Sequence, residues 1–387
     1  MSTQTIILGG GIAGTTAAEE LRKLEPEAEI TIIEQEEHPC YSRVLLPHYL
    51  KGVVPREKVF LKSLAWYAAQ RIELMTGTRV EAIDVVNHFV RTNDDRELPF
   101  DRLLLATGGE LNLASEDMRG VVYLRSVDDA DQIVGLMREV TMKPLGERFG
   151  VVYGGGFMAL EFINLFAHAK IHTTVLMRGA GFWSSTLSPE SQACLRRHAE
   201  SRGVVICTEE PMPSLRGERE LEAVVGKSGE YRADILGVGI GIHAEAEVFT
   251  RAGIATQEGI LVNEYLETSH PGVFAAGDVA EFFDVHVGRQ LVYGNWMNAQ
   301  MQGRAVAKVM HGERAPFSLV SSYATNLLGM QVVFVGDADR KAADRIEVAE
   351  TTNGGVGELF YRQDKLVGAV LLGDIAKRMA ITAEIRG

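Results

Sequence analysis

The chain has 387 residues, 46% hydrophobic and 24% charged, so it can bury large cores and is not expected to be disordered. Its net charge of −13 argues against nucleic acid or an anionic membrane surface as the main partner. It contains no stretch typical of a membrane span or signal peptide, and its three cysteines form no C-x-x-C pair, so we expect a cytoplasmic protein without a disulfide scaffold or thiolate metal cage.

The N-terminal segment predicts a strand, a glycine turn, a helix and a second strand. A short β-branched run leads into Gly9, Gly11 and Gly14, which have the spacing G-x-G-x-x-G. In such a turn the first glycine permits the bend, the second lets a pyrophosphate approach the backbone, and the third lets the helix pack closely. Glu34, at the end of the second strand, is placed to accept hydrogen bonds from a ribose. Taken alone, Glu34 is more typical of a solvated acidic run.

A second unit of the same kind begins about 145 residues later. Gly154, Gly156 and Ala159 follow a strand and precede a helical stretch. The next strand ends in Met177 and Arg178, with no acidic residue there. Arg178 favours a 2′-phosphate and therefore NADPH, but an exposed arginine without a ligand is an equally good interpretation.

The remaining segments complete the predicted fold class. Two buried-type strands end in Thr107-Gly108 and Gly277-Asp278, and short β-type runs follow Pro316. We therefore predict an α/β chain with two Rossmann-like dinucleotide-binding domains and a small C-terminal α+β domain. His168 and His172 lack an H-E-x-x-H context, so we predict no metal site.

These motifs, in this order, resemble those of the FAD-dependent pyridine nucleotide oxidoreductases. The likeness is greatest to the rubredoxin reductase, ferredoxin reductase and nitrite reductase flavoprotein branch. Residues 41–47 match its Y-x-R-x-x-L signature, residues 123–130 its pre-NAD segment, and residues 295–304 its W-x-x-A-x-x-Q-G-R stretch. The resemblance covers about residues 4 to 312.

The resemblance implies a division into three domains. The FAD-binding domain would be formed by residues 1–108 and 238–314. Residues 109–237 would form the NAD(P)-binding domain, and residues 315–387 the C-terminal domain.

The resemblance also assigns site residues. Those implied for FAD are Gly9, Gly11, Gly14, Glu34, Arg43, Val80, Thr107, Gly108, Asp278 and Trp296. Those implied for NADH or NADPH are Gly154, Gly156, Glu161 and Gly239, with Arg178 as the candidate selector. The alternative interpretations are that Asp278 only forms a turn and that Trp296 only fills the core.

Two departures from the family pattern concern chemistry. The C-x-x-x-x-C pair of the disulfide reductases is absent, and Cys40 lies four residues before the position of the single cysteine in another branch. The electron-transfer branch often has Ser-Lys where this chain has Pro47-His48. His48 is therefore a catalytic candidate near the flavin or, as the somewhat better interpretation, an ordinary partly exposed histidine. Glu161 is the second catalytic candidate, because it could hold the nicotinamide amide.

We therefore expect an NAD(P)H-dependent flavoprotein oxidoreductase that uses FAD and passes electrons to a protein such as rubredoxin or ferredoxin. Docking of such an acidic protein would need a local basic cluster, with Arg289, Arg304 and Lys308 as candidates. One alternative is an NAD(P)H oxidase or quinone-type reductase with a small oxidant. Another is a non-catalytic FAD-binding module, which the missing acid at Met177 keeps open. The oligomeric state is undecided, with a homodimer as one option.

Overall fold

The computed structural model describes residues 2–113, 118–351 and 354–387. The chain forms two compact units, each assembled from three segments. The first unit consists of Met1–Val44, Pro55–Glu110 and Ile242–Ser321. The second consists of Leu45–Val54, Leu111–Gly241 and Ser322–Gly387. The division into three domains stays a prediction.

The first unit is built on a five-stranded parallel sheet. Its strands lie in the order Val273–Ala275, Arg102–Leu105, Gln4–Leu8, Glu29–Ile33, Ile72–Met75. The central strands are buried almost throughout, as expected for a parallel sheet covered on both faces. Helix Ile12–Leu24 follows the first strand, and helix Trp296–Met310 packs against it. Their close approach requires Gly303, where a Cβ would meet the Ala13 carbonyl oxygen.

Smaller elements complete the first unit. One antiparallel sheet contains Val80–Asp84, Phe89–Thr92 and Glu97–Pro99. A mixed sheet contains Ile260–Val262, Ala280–Asp284 and Arg289–Leu291. The short helices are Leu64–Ala69, Glu247–Arg251 and the 3₁₀ turn Arg56–Lys58.

The second unit repeats the parallel arrangement. Its five strands lie in the order Val205–Cys207, His172–Leu176, Phe149–Tyr153, Ile235–Val238, Val121–Val122. Its α-helices up to residue 200 are Leu46–Leu50, Val127–Met142, Phe157–His168 and Pro189–Glu200, and the 3₁₀ turn is Leu145–Glu147. An antiparallel sheet contains Ser214–Arg216, Ala223–Gly226 and Gly229–Arg232.

The C-terminal part of the second unit is a five-stranded antiparallel sheet. Its strands lie in the order Ser322–Leu327, Met330–Gly336, Lys365–Leu372, Val356–Arg362, Arg345–Glu350. Helix Arg378–Arg386 packs against its central strands. The short strands Glu110–Leu111 and Ile242–His243 occur where the chain passes from one unit to the other, as does the 3₁₀ turn Arg43–Leu45.

The two parallel sheets and the C-terminal antiparallel sheet confirm the predicted α/β fold class. In the described part of the chain, no helix combines the length and apolar character needed to cross a bilayer. The same residues contain no cluster of histidine, cysteine and acidic side chains suited to a metal ion.

Candidate functional site

The first glycine turn is closed by backbone on two sides and open on the third. Gly9 has a φ of +102°, and a Cβ there would meet the Ala106 carbonyl oxygen. A Cβ on Gly14 would meet the carbonyl oxygen of Gly9, so the helix and strand leave no room for a side chain. Gly11, in contrast, has no atom within 4 Å of its Cβ position among the described residues. Open space therefore lies over the start of a 13-residue helix that lacks a side-chain cap.

The Glu34 carboxylate accepts a hydrogen bond from the backbone of this turn. Its Oε2 accepts a 2.6 Å hydrogen bond from the backbone N–H of Gly10, and its Oε1 accepts one of 3.0 Å from that of Glu36. Burial raises the pKa of the Glu34 carboxyl above its usual range, although both N–H donors act against this. The carboxylate thus sits next to the turn, where sequence spacing predicted it.

A pocket adjoins the open side of the turn, and Glu36 organises its far wall. The lining residues are Gly10, Gly11, Glu34, Glu36, His38, Pro39, Cys40, Tyr41 and Arg43. Glu36 accepts hydrogen bonds from Arg43 Nη2 at 2.8 Å and from Tyr41 Oη at 2.6 Å. These contacts hold the predicted site residue Arg43 at the pocket in a charge-assisted pair.

Cys40 lies in the same wall, with its side chain buried. The residue is buried, and burial raises the pKa of its thiol to about 11. The hydroxyl of Tyr67 accepts a hydrogen bond from the Cys40 backbone and lies 3.0 Å from Thr15 Oγ1. Cys40 therefore belongs to the packed part of this wall.

Other predicted FAD residues flank the first turn. Thr107 Cα would be 3.0 Å from a Cβ on Gly9, and Gly108, with φ +73°, follows it. Asp278 follows Gly277, whose Cβ position lies 3.0 Å from the Cβ of Ala13 on the helix after the turn.

Val80 and Trp296 are connected to the first turn only through neighbouring elements. Val80 begins a strand just after Thr78, whose N–H donates to the Glu34 carbonyl. Trp296 begins the helix that packs on Ile12–Leu24.

Gln302 has a role that sequence reasoning did not assign. It is fully buried, and its Oε1 accepts a 2.7 Å hydrogen bond from the N–H of Gly277. Its Nε2 has no hydrogen-bond partner in the described residues. The side chain therefore fixes the Gly277 turn and leaves one buried donor available beside it.

The second glycine turn has the same construction. A Cβ on Gly154, with φ +133°, would meet the Gly239 carbonyl oxygen, and a Cβ on Gly239 would lie 2.6 Å from the Ala159 nitrogen. The Cβ position of Gly156 is open except for Trp183 Nε1 at 3.9 Å. Helix Phe157–His168, which starts after Gly156, also lacks a side-chain cap.

Met177 and Arg178 have different environments. Met177 is buried under the second turn, with its Sδ 2.9 Å from the Cβ position of Gly155. Packing thus explains why no acid stands at this strand end. Arg178 is exposed, and no described residue pairs with its guanidinium.

Glu161 lies one turn into helix Phe157–His168 and has two partners that the sequence did not indicate. Lys51 Nζ is 3.7 Å from its Oε2, and Thr325 Oγ1 donates a 3.2 Å hydrogen bond to its Oε1. Lys51 follows helix Leu46–Leu50, which packs against the helices Val127–Met142 and Phe157–His168. His48, on that short helix, is exposed. The structure therefore brings Lys51 to Glu161.

An aromatic cluster, formed by Phe157, Trp183, Tyr323 and Phe334, adjoins the second turn. The Phe157 ring meets those of Trp183 and Tyr323 edge-on, with centroids 4.9 and 4.7 Å apart. Tyr323 and Phe334 are cross-strand partners whose rings stack at 5.3 Å. No sequence signal predicted the cluster, because its members come from segments as far as 177 residues apart.

The chain is similar to a known protein family and to several of its members. Residues 3–303 match the family model for pyridine nucleotide-disulphide oxidoreductases. The chain is 28% identical to a nitrite reductase [NAD(P)H] of Bacillus subtilis, over 96% of this chain and 46% of that protein, so it spans about half the length of this relative. It is 31% identical to the ferredoxin–NAD(+) reductase component of a biphenyl dioxygenase system of Paraburkholderia xenovorans, over 94% of this chain and 84% of that protein.

Solved structures agree with this relationship. The crystal structure of a covalent putidaredoxin reductase–putidaredoxin complex matches 99% of this chain and 93% of the matched chain, with a TM-score of 0.90 and 26% identity. The family match covers most of the chain and includes both glycine turns. The chain therefore belongs to the pyridine nucleotide-disulphide oxidoreductase family, as its motifs predicted.

Proposed function

We propose that the chain is an FAD-dependent enzyme that oxidises NADH or NADPH and passes the electrons to a small protein of the ferredoxin or rubredoxin type. One observation carries this proposal. In each parallel sheet one strand leads into a turn whose first glycine, Gly9 or Gly154, is closed by backbone, while the middle glycine, Gly11 or Gly156, faces open space at a helix N-terminus. Two such cradles suit two dinucleotides.

The first turn fits FAD. The space over Gly11 would take the pyrophosphate, which the N–H groups of helix Ile12–Leu24 would bind. Glu34 has lone pairs left to accept from ribose hydroxyls after its two backbone bonds. Arg43 supplies a positive charge at the pocket, and the unpartnered Gln302 Nε2 offers a further donor. Bound FAD would supply hydride acceptance from the nicotinamide and release of electrons one at a time.

The second turn fits the nicotinamide nucleotide. Here the residues of the chain would position the nicotinamide for transfer and would not donate a proton to it. Gly156 leaves room for a pyrophosphate, and Arg178 is available for a 2′-phosphate, which favours NADPH. Glu161 would accept a hydrogen bond from the nicotinamide amide and so set the face presented for transfer. Lys51 and Thr325 restrict its rotamers, which lowers the entropy lost on binding. We assign no role in transfer to His48.

The relatives support a protein as the electron acceptor. Their names include a ferredoxin–NAD(+) reductase component and a rubredoxin–NAD(+) reductase. Arg304 is exposed and Lys308 partly exposed on helix Trp296–Met310, which provides local positive charge on an acidic chain. The unpaired cysteines are compatible with the cytoplasmic location that we propose.

Anaerobic titration of the FAD-loaded protein with NADH and with NADPH tests the proposal. We expect the flavin absorbance to bleach within seconds and to recover when an oxidised ferredoxin or rubredoxin is added. Unchanged absorbance with both nucleotides would leave only the non-catalytic binding module. Recovery in air as fast as with the protein acceptors would favour the oxidase alternative.

A further inference from the structure

Trp183 lies on the loop that folds over the second glycine turn. The loop is tied to the turn by a 3.0 Å hydrogen bond from the N–H of Trp183 to the carbonyl of Gly155. Trp183 has a φ of +42°, which is rare and unfavourable for a bulky residue. The chain thus holds this side chain beside the turn at an energetic cost.

The indole presents a polar edge to the open space of the turn. Its Nε1 is 3.9 Å from the Cβ position of Gly156, and it is the one atom found within 4 Å of that position among the described residues. None of those residues accepts a hydrogen bond from Nε1, and the side chain is only partly buried. Indole N–H groups usually find an acceptor when they leave water. An acceptor that occupies the turn would satisfy this one.

The aromatic cluster fixes the orientation of the ring. Phe157 contacts the indole edge-on at 4.9 Å, and Phe334 contacts it at 5.2 Å between centroids. Phe334 is itself stacked on Tyr323 from the neighbouring strand. Because these two rings contact the indole directly, its N–H loses little rotational freedom when it binds an acceptor.

We propose that Trp183 is a pyrophosphate-binding residue of the nicotinamide nucleotide site. Its N–H donates to a pyrophosphate oxygen of bound NADH or NADPH, alongside the N–H groups at the start of helix Phe157–His168. This inference rests on the proposed function, because it requires the second turn to bind a dinucleotide. Hydrogen bonds to an anion are about twice as strong as neutral ones, so this single donor is worth about a tenfold change in affinity.

The test compares two probes on the FAD-loaded protein. ADP-ribose carries adenosine and pyrophosphate without a redox group, whereas adenosine lacks the pyrophosphate. Trp183→Phe keeps an aromatic ring in the cluster but removes the donor. Trp66→Phe, which changes a tryptophan of the first unit, is the matched control. Calorimetry measures the Kd of ADP-ribose, and competition measures that of adenosine.

We expect Trp183→Phe to raise the Kd of ADP-ribose about tenfold, to leave that of adenosine unchanged, and to keep the FAD content of the wild type. If Trp183→Phe is unstable, β-(3-benzothienyl)alanine at position 183 replaces the N–H by sulfur in a ring of the same shape, with the same expectation. A Kd for ADP-ribose within twofold of wild type, or an equal loss for adenosine, would overturn this inference and leave the proposed function standing. Failure of the wild-type protein to bind both ADP-ribose and NADH would overturn both.

Discussion

Lys51 forms an ion pair with Glu161, with 3.7 Å between Nζ and Oε2 and both side chains about four-fifths buried. The pair joins a short helix near the N-terminus to the first helix after the second glycine turn. His48, on the same short helix, is exposed, and its role near the flavin stays a prediction.

Loss of the Lys51 ammonium should slow flavin reduction. Lys51→Met leaves the Glu161 carboxylate with Thr325 as its partner, so its rotamers broaden and the nicotinamide is held less well. We expect the rate of flavin reduction by NADH or NADPH in anaerobic stopped-flow to fall about tenfold. Lys51→Arg, which retains the charge, should recover most of the rate. Equal rates for Lys51→Met and wild type would remove Lys51 from the site.

The two kinds of glycine in the first turn should respond differently to substitution. Gly11→Val places a side chain in open space at an ordinary φ of −66°, so the protein should fold but remain colourless because the phosphate position is filled. Gly14→Val drives a side chain into the backbone of Gly9 and should prevent folding of this unit. Flavin absorbance and circular dichroism of both variants measure the contrast. A folded Gly11→Val protein with full FAD content would contradict the assignment of Gly11.

Nucleotide preference should depend on Arg178. Arg178→Glu exchanges an exposed cation for a carboxylate, which repels a 2′-phosphate and can accept from a 2′-hydroxyl. We expect the ratio of kcat/KM for NADH over NADPH to rise at least tenfold, mainly through weaker NADPH binding. Arg219→Glu, another arginine of the second unit, is the charge-matched control. An unchanged ratio would mean that Arg178 does not select the nucleotide.

Cys40 should be chemically silent. Because burial raises the pKa of its thiol to about 11, almost none of it is thiolate at neutral pH. We expect iodoacetamide to leave Cys40 unlabelled in the native protein and to label it after unfolding, as peptide mass spectrometry would report. Cys40→Ser should keep the rate of flavin reduction within twofold. A large loss of rate in this variant would instead indicate a redox role for the Cys40 thiol.

Glu25 should contribute stability that is lost in acid. The Arg102 hydrogen bonds, followed by the contact with His311, lower the pKa of the Glu25 carboxyl to about 2, against a usual value near 4.5. A folded-state pKa below that of the unfolded chain stabilises the fold above about pH 4.5, and this contribution declines as the pH falls towards 2.

Glu25→Gln should therefore lower the free energy of unfolding by about 2 kcal/mol at pH 7. The difference from wild type should narrow at pH 3. Urea denaturation at the two pH values measures this effect. A difference that is the same at pH 7 and pH 3 would show that the charge of Glu25 is not its source.

Local sequence patterns were sufficient to predict the two glycine turns, the strands and helices around them, and the family. These features are local, because the spacing of a few glycines after a β-branched run already fixes a strand, a bend and a helix. The position of Glu34 beside its turn also followed from local spacing, since one helix separates two adjacent parallel strands.

The surroundings of the second turn, in contrast, depend on how distant parts of the chain fold together. Glu161 is more than 100 residues from each of its two partners, Lys51 and Thr325. Trp183 packs against Phe334, an aromatic residue of the C-terminal sheet. Nothing in the local sequence marks such partners. Bringing them together costs loop-closure entropy, and this cost is offset by packing interactions throughout the fold. Met177 illustrates the same point: its position pointed to a missing ligand contact, whereas packing beneath Gly155 accounts for the residue.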